Sequence, residues 1–323
     1  MFTLDDLDRA SRIVHAIMPP TPQYAWPLLR ARYGVDVVVK HENHTPVGAF
    51  KIRGGLVYLD RLKRERPHVR GVISATRGNH GQSLALAGQH FGVPVSIVVP
   101  FGNSVEKNAA MRALGAELIE HGRDFDDAKQ KASDLAQERG YEFVPSFHED
   151  LITGVATYAK ELFDQHPDLD VVYAPIGLGS GICGLIRTRD LLGLTTQIVG
   201  VVPERANAYR LSFDAGQVVP VNTLATFADG TAVRMPDAKA FAWIQTGAAR
   251  IVEVPEDAIA EAIRVYHEDT HNMAEGAGAV ALAALAAESA SLRGQKAGVI
   301  CSGGNIDRRW AAEILAGGTP VAA

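Results

Sequence analysis

The chain has 323 residues, of which 47% are hydrophobic and 21% charged, and its formal net charge is −5. This length allows a large buried core, and the scattered Lys and Arg residues exclude the basic surface of a nucleic-acid-binding protein. No apolar run approaches the ~20 residues of a membrane helix, the N-terminus lacks an apolar signal segment, and two cysteines cannot form a disulfide framework. We therefore expect a cytoplasmic protein with no membrane partner.

Short β-branched runs alternate with longer helical patterns along most of the chain. The strand-like runs are Val35–Lys40, Gly71–Ala75, Val95–Pro100, Glu117–Glu120, Val171–Ile176, Gln197–Val202, Ile251–Val254 and Gly298–Cys301. The helical patterns are Gln82–Phe91, Val105–Leu114, Phe125–Glu138, Ile152–Gln165, Ala258–His267 and Ala279–Leu292. Because the strands are almost continuously apolar, they suit parallel sheets that are buried on both faces. The alternation predicts an α/β fold with two open, mostly parallel sheets and flanking helices.

Glycines mark the predicted helix ends, and a block of closely spaced strand–helix units marks a smaller domain. Four glycines stand where a residue with positive φ ends a helix: Gly92, Gly115, Gly140 and Gly294. Between about residues 70 and 148, strand–helix units follow each other with short links. This block predicts a small domain over residues 69–148 and a large domain formed by residues 1–68 and 149–323. The segment Gln217–Ala240 has little periodicity, so we predict a long functional loop there.

Three glycine-bearing turns follow strand-like runs, where α/β folds bind their ligands. They are Ser74–Gly81, Gly177–Gly184 and Cys301–Asn305. Backbone N–H groups and a helix N-terminus at such a turn can hold an anion, although each turn alone equally suits tight packing of a buried sheet. The second turn is not the dinucleotide fingerprint of a Rossmann dehydrogenase, because Ile182 stands where its last glycine is required.

The segment Thr45–Gly54 (TPVGAFKIRG) places Lys51 between Phe50 and Ile52. Apolar neighbours of this kind desolvate an amine and lower its pKa, as Schiff-base chemistry requires. The segment resembles the cofactor-lysine motif of the fold-type II pyridoxal-phosphate enzymes, and most closely that of the threonine dehydratases and serine racemases.

Four further segments carry the same resemblance over nearly the whole chain. Ser74–Gly81 is similar to the substrate-carboxylate loop of that family, Gly177–Gly181 to its glycine-rich phosphate loop, and Ser302–Asn305 to its pyridine-side turn. Residues 275–283 resemble another shared segment. The resemblance implies a fold like that of the tryptophan synthase β chain, a homodimer, and pyridoxal 5'-phosphate in the cleft between the two domains.

The resemblance also implies a role for each matching residue. Lys51 would bind the cofactor covalently and then remove the Cα proton of the substrate. Phe50 would pack on the cofactor ring, Asn79 would bond its phenolic oxygen, and Ser302 would meet its pyridine nitrogen. The phosphate would be held by Gly177, Leu178, Gly179, Ser180 and Gly181. The amino-acid substrate would be bound by Ser74, Thr76, Arg77, Gly78, Asn79 and His80.

The reaction implied is loss of water from a β-hydroxy amino acid, which yields a 2-oxo acid and ammonia. A neutral hydroxyl at Ser302 does not force protonation of the ring, and this favours prompt loss of a β-leaving group. Threonine and serine are the leading substrates. A bulkier or more acidic analogue is the alternative: phenylserine, 3-hydroxyaspartate or an acid derived from hydroxyectoine.

Several positions depart from the family pattern. Racemases of the family have a serine that acts as acid and base where this chain has Arg77, and an arginine is not deprotonated in proteins. Racemisation is therefore disfavoured, while a substrate carboxylate is a suitable partner for Arg77. The strand end at Val202-Pro203 lacks the glutamate that binds a divalent metal in some relatives, so we expect no metal. A remote alternative, a zinc metalloprotease, comes from the H-E-x-x-H pattern of His267–His271.

Overall fold

The computed structural model describes residues 2–222 and 224–321. The chain divides into two compact units, the first formed by Met1–Pro19 and Thr45–Thr157 and the second by Pro20–His44 and Tyr158–Ala323. These bounds differ from those of the predicted domains, because residues 1–19 and 45–68 lie in the same unit as residues 69–148. The predicted domain division and the cleft between the domains stay predictions.

Strands and helices alternate through both units. The strands are β1 (Gln23–Ala25), β2 (Asp36–His41), β3 (Val72–Ala75), β4 (Val95–Val99), β5 (Glu117–Glu120), β6 (Glu142–Phe143), β7 (Val171–Pro175), β8 (Gln197–Pro203), β9 (Arg250–Val254) and β10 (Lys296–Cys301). The helices are α1 (Leu4–His15), α2 (Pro27–Tyr33), α3 (Lys51–Glu65), α4 (Asn79–Phe91), α5 (Val105–Ala113), α6 (Phe125–Arg139), α7 (Glu149–Gln165), α8 (Ser180–Leu191), α9 (Ala208–Ala215), α10 (Ala238–Gly247), α11 (Glu256–Thr270), α12 (Gly276–Glu288) and α13 (Arg308–Leu315).

Each unit contains one sheet. In the first unit the strand order is β5-β4-β3-β6, and all neighbours are parallel. In the second unit the order is β1-β2-β10-β7-β8-β9, and only the edge strand β1 is antiparallel to its neighbour. The prediction of an α/β fold with two mostly parallel sheets is confirmed. The eight predicted strands are present, and the two that the sequence did not indicate, β1 and β6, are only three and two residues long.

The apolar strands form the core, as predicted for strands covered on both faces. All residues of β4 and all but the first of β2 are buried. In the second unit, α12 packs on β7 and β10, and nine of its 13 residues are alanine or glycine. Such small side chains let the helix backbone approach the sheet closely. The four glycines predicted to end helices have positive φ, between 64° and 85°.

A close crossing of two helices in the first unit holds the start of α3. A Cβ atom added to Gly154 of α7 would overlap with the carbonyl oxygen of Arg53, and one added to Gly54 would lie 2.8 Å from the carbonyl oxygen of Leu151. Only glycine allows the two backbones to touch in this way. The crossing therefore fixes the first turn of α3, which begins at Lys51.

The predicted loop at 217–240 is largely irregular. Among its described residues, one short 3-10 turn precedes the start of α10 at Ala238. Phe227, Ala228 and Thr231 are buried, so the middle of this loop packs into the second unit, while Met235 near its end is exposed. No helix among the described residues is long and apolar enough to span a membrane.

Candidate active site

Lys51 is the first residue of α3, and a tight turn leads into it. The hydroxyl of Thr45 accepts a hydrogen bond from the Ala49 amide and donates one to the Ala49 carbonyl, both at 2.9 Å. Gly48 within this turn has φ +69°. The Ser83 hydroxyl of α4 donates to the Lys51 carbonyl at 2.6 Å, which ties α4 to the start of α3. The backbone of Lys51 is thus held from both sides.

The amine of Lys51 lies in surroundings that disfavour its charge. The side chain as a whole is only partly covered, but desolvation still lowers the pKa of Lys51 to about 8. Its Nζ atom lies 4.9 Å from the centroid of the Phe50 ring. A neutral amine is therefore accessible near physiological pH, and a neutral amine is what nucleophilic and general-base chemistry need.

The substrate loop predicted at Ser74–His80 joins β3 to α4. The Thr76 hydroxyl accepts a hydrogen bond from the Gly78 amide at 3.0 Å, and this bond closes the turn. A Cβ atom on Gly78 would overlap with the side chain of the buried Lys107, so the backbone here lies directly on that aliphatic stem. The Ser74 hydroxyl donates to the Val144 carbonyl at 2.7 Å and is buried. The Ser74 side chain therefore stabilises the end of β3 through a buried hydrogen bond.

Arg77 and His80 project from this loop into opposite environments. Arg77 is exposed, and within the described part of the chain its guanidinium makes no hydrogen bond or ion pair, so it is available to an anion. His80 is buried, and one ring nitrogen donates to the Val144 carbonyl while Nε2 has no partner among the described residues. Burial and the nearby charge of Lys51 lower the pKa of His80 to about 3, so its ring is neutral. Asn79 is half-buried in the first turn of α4.

The turn Gly177–Gly181 in the second unit joins β7 to α8, and its geometry suits the binding of an anion. A Cβ atom on Gly177 would overlap with the Gly230 carbonyl oxygen, and Gly179 has φ +100°. Among the described residues, no side chain caps the N-terminus of α8, and a helix N-terminus of this kind suits an anion. The hydroxyl of Ser180, buried at the same helix end, adds to this set of polar groups.

Ser302 follows β10 and faces the start of α12. Its hydroxyl donates to the Ala277 carbonyl at 3.2 Å, and the Glu275 amide donates to the Gly303 carbonyl at 3.0 Å. A Cβ atom on Gly278 would overlap with the Gly303 carbonyl oxygen, so the turn and the helix are in backbone contact. The segments around residues 275 and 302, singled out separately in the sequence, are therefore neighbours.

The H-E-x-x-H pattern does not form a zinc-binding helix face. Helix α11 ends at Thr270, and His271 is its C-cap residue in the left-handed region with φ +53°. Glu268 and Asp269 both bind Arg32. Within residues 2–222 and 224–321, no three His, Cys, Asp or Glu side chains are grouped as metal ligands would be.

The predicted site residues are thus grouped within each unit. The first unit contains Phe50, Lys51 and the loop at 74–80, and the second contains the turns at 177–181 and 302–305. Sequence reasoning missed two buried tyrosines that contact the 177–181 turn, Tyr158 and Tyr209. It also missed the stem of Lys107 beneath Gly78. A deprotonatable lysine and a glycine cradle at a helix N-terminus fit an aldehyde cofactor that carries a phosphate.

Comparison with known proteins agrees with this chemistry. The family model for pyridoxal-phosphate dependent enzymes matches residues 16–303. The chain is similar to an L-threonine ammonia-lyase of Thermotoga maritima, with 34% identity covering 95% of this chain and 76% of that protein. It is also similar to an L-threo-3-hydroxyaspartate ammonia-lyase of Saccharomyces cerevisiae, with 32% identity covering 97% and 96%. Among solved structures, the processed form of threonine deaminase isoform 2 from Solanum lycopersicum matches with a TM-score of 0.88, 32% identity, and coverage of 96% of this chain and 92% of that one.

Proposed function

This chain belongs to the family of pyridoxal-phosphate dependent enzymes, and we propose that it is a dehydratase that removes water and then ammonia from a small β-hydroxy amino acid. Threonine and serine are the leading substrates, and the products would be the corresponding 2-oxo acid and ammonia. A more acidic or bulkier hydroxy amino acid is the alternative. The relatives named as threonine and 3-hydroxyaspartate ammonia-lyases support both possibilities.

The observation that carries the proposal is the position of Lys51. It lies at a helix start that is fixed by the Gly54–Gly154 crossing and the Ser83 hydrogen bond. Burial lowers the pKa of Lys51 to about 8. We assign two roles to its Nζ atom: holding the cofactor between turnovers, and removing the Cα proton of the substrate during turnover.

The other residues bind and orient. Pyridoxal phosphate, when bound, supplies the electron sink that acidifies the Cα–H bond. The amides of residues 177–181 and the Ser180 hydroxyl would hold its phosphate, while Phe50, Asn79 and Ser302 would orient its ring. The loop from Thr76 to His80 would bind the substrate carboxylate at the N-terminus of α4. Loss of the Cα proton and of the β-hydroxyl as water leaves an enamine, and its hydrolysis gives the 2-oxo acid and ammonia.

Elimination is favoured over racemisation by the group at position 77. Racemisation needs an acid on the face of Cα opposite to Lys51, and a guanidinium does not give up its proton in the physiological pH range. Arg77 is exposed, and the described residues offer it no ion-pair partner, which suits a role in reading a substrate anion.

We expect Arg77→Ala to separate acidic from neutral substrates. If Arg77 binds a side-chain carboxylate, kcat/KM for 3-hydroxyaspartate should fall by about 10- to 100-fold, because a charged hydrogen bond contributes about 1.5–3 kcal/mol. The value for serine should change by less than about threefold. Arg123→Ala removes an exposed arginine of the same unit and serves as the control. Equal losses on all substrates would reject a side-chain role for Arg77.

The pH dependence of cofactor attachment tests the environment of Lys51. Only the neutral amine attacks an aldehyde, so the rate at which cofactor-free protein attaches pyridoxal phosphate should rise with pH up to about 8 and then level off. Stopped-flow absorbance of the lysine-bound cofactor measures this rate. A rate that keeps rising toward pH 10.5, the value of an ordinary lysine, would contradict the desolvated site.

The experiment that tests the function is a substrate panel. Purified protein loaded with pyridoxal phosphate is incubated with both enantiomers of serine and threonine, and with phenylserine and 3-hydroxyaspartate. Release of a 2-oxo acid from any member would support the proposal and identify the substrate group. If no panel member yields a 2-oxo acid although the cofactor is bound, dehydration of these amino acids would be rejected.

We also propose that the protein is a cytoplasmic homodimer. Both cysteines, Cys183 and Cys301, are buried and free, and burial raises the pKa of each thiol, which suits a reducing compartment. The homodimer follows from the family resemblance. Light scattering coupled to size-exclusion chromatography should give twice the mass of one chain.

A further inference from the structure

Two buried tyrosines contact the outer side of the Gly177–Gly181 turn. The Tyr209 hydroxyl donates to the Leu178 carbonyl at 3.1 Å, and the Tyr158 hydroxyl donates to the Gly181 carbonyl at 2.9 Å. Each tyrosine is only 1% exposed. Tyr158 lies in α7 and Tyr209 in α9, which precede and follow the turn in the sequence. Two separate helices therefore hydrogen-bond to two carbonyls of one short segment.

The direction of the Tyr209 bond is fixed by a second contact. Its hydroxyl oxygen accepts a hydrogen bond from the Asp237 amide at 3.3 Å. An amide can only donate, so the tyrosine proton is left to point at the Leu178 carbonyl. Asp237 in turn caps α10 through the amides of Lys239 and Ala240. The turn is therefore braced against α10 through Tyr209.

Planarity of the peptide bond converts these bonds into an orientation of the amides. The C=O and N–H groups of a trans peptide point in opposite directions. A Leu178 carbonyl held on the Tyr209 side turns the Gly179 N–H the other way, and a Gly181 carbonyl held by Tyr158 does the same for the Ile182 N–H. Gly179 has φ +100°, a conformation that other residues rarely adopt. The hydrogen bond from Tyr209 helps to hold the Leu178–Gly179 peptide in the orientation that this conformation requires.

We propose that Tyr158 and Tyr209 are positioning residues that aim the amides of Gly179 and Ile182 at the phosphate of the cofactor. The inference rests on the proposed function, since it assigns that phosphate to the Gly177–Gly181 turn. Neither tyrosine touches the reacting atoms. They act on the affinity of the protein for the cofactor phosphate, and this affinity can be measured separately from the chemistry at Lys51.

Phenylalanine substitutions test the inference, because they remove one hydroxyl and keep the buried ring. Titration of cofactor-free protein gives the Kd for pyridoxal phosphate and for pyridoxal, which lacks the phosphate. Tyr158→Phe and Tyr209→Phe should each weaken pyridoxal phosphate by about 5- to 30-fold, and pyridoxal by less than about twofold. The phosphorus NMR signal of the bound cofactor should shift in both variants.

Tyr173→Phe is the matched control, since this buried tyrosine lies in β7 of the same unit and its hydroxyl donates to Glu288. It should bind both compounds as the wild type does. Unchanged affinity for pyridoxal phosphate in both test variants would overturn the inference, and so would equal losses for the two compounds. Because there are two test variants, a folding failure in one leaves the other to decide. A wild-type protein that binds neither compound would overturn the proposed function itself, whereas tight wild-type binding with unaltered variants would overturn only the positioning role.

Discussion

Replacing Lys51 with alanine is expected to lower turnover by more than about a thousandfold and to abolish the visible absorption band of lysine-bound cofactor. The variant loses both proposed roles of the Nζ atom at once. Steady-state release of 2-oxo acid and an absorption spectrum of the purified variant measure the two effects separately.

The control for this variant is Lys63→Ala, which removes an exposed lysine from the other end of α3. It should retain wild-type turnover and the wild-type spectrum. Because Lys51 is held at a charge-disfavouring position, its removal should not reduce the thermal stability of cofactor-free protein. Turnover by Lys51→Ala at the rate of the control would refute the assignment of the catalytic amine.

Gly177→Ala is expected to weaken cofactor binding by about tenfold or more and to cost about 1–3 kcal/mol of folding free energy. The new methyl group would overlap with the Gly230 carbonyl oxygen, so the Gly177–Gly181 turn or the backbone at Gly230 would have to shift. Titration with pyridoxal phosphate and denaturant unfolding of cofactor-free protein measure the two effects.

Gly193→Ala provides the comparison, because Gly193 follows the end of α8 and has φ +65° with open space where its Cβ atom would be. That substitution should cost only the backbone strain of alanine at positive φ, about 1 kcal/mol, and leave cofactor affinity unchanged. If both variants bound the cofactor as the wild type does, the turn would not be the phosphate site.

The parts of the fold that repeat a local pattern were predictable from the sequence. Continuous apolar runs identified the buried parallel strands, and glycines such as Gly92 and Gly140 marked helix ends because positive φ is a local property of one residue. Strands β1 and β6 were not predictable, since three or two residues show no period. The start of α3 depends on the contact of Gly54 with α7, which the sequence around Lys51 does not reveal.

The candidate site was predictable where its residues are contiguous. Thr45–Gly54, Ser74–Gly81 and Gly177–Gly181 each hold their chemistry in one short segment, and so they could be recognised. Tyr158 and Tyr209 lie 23 and 31 residues from the carbonyls that they bind, and no local spacing indicates such a pair. Likewise, His80 is buried because of the tertiary packing around α4, and its Nε2 atom has no hydrogen-bond partner among the described residues. The local sequence does not indicate either feature.

The most direct test of the central claim, dehydration at a lysine-held cofactor, is the stoichiometry of the reaction on whichever panel member responds. Ammonia and 2-oxo acid are counted together with the configuration of the remaining substrate by chiral chromatography. We predict one ammonia for each 2-oxo acid and residual substrate of unchanged configuration. Accumulation of the opposite enantiomer without ammonia would contradict it, because the protein would then be a racemase in spite of Arg77.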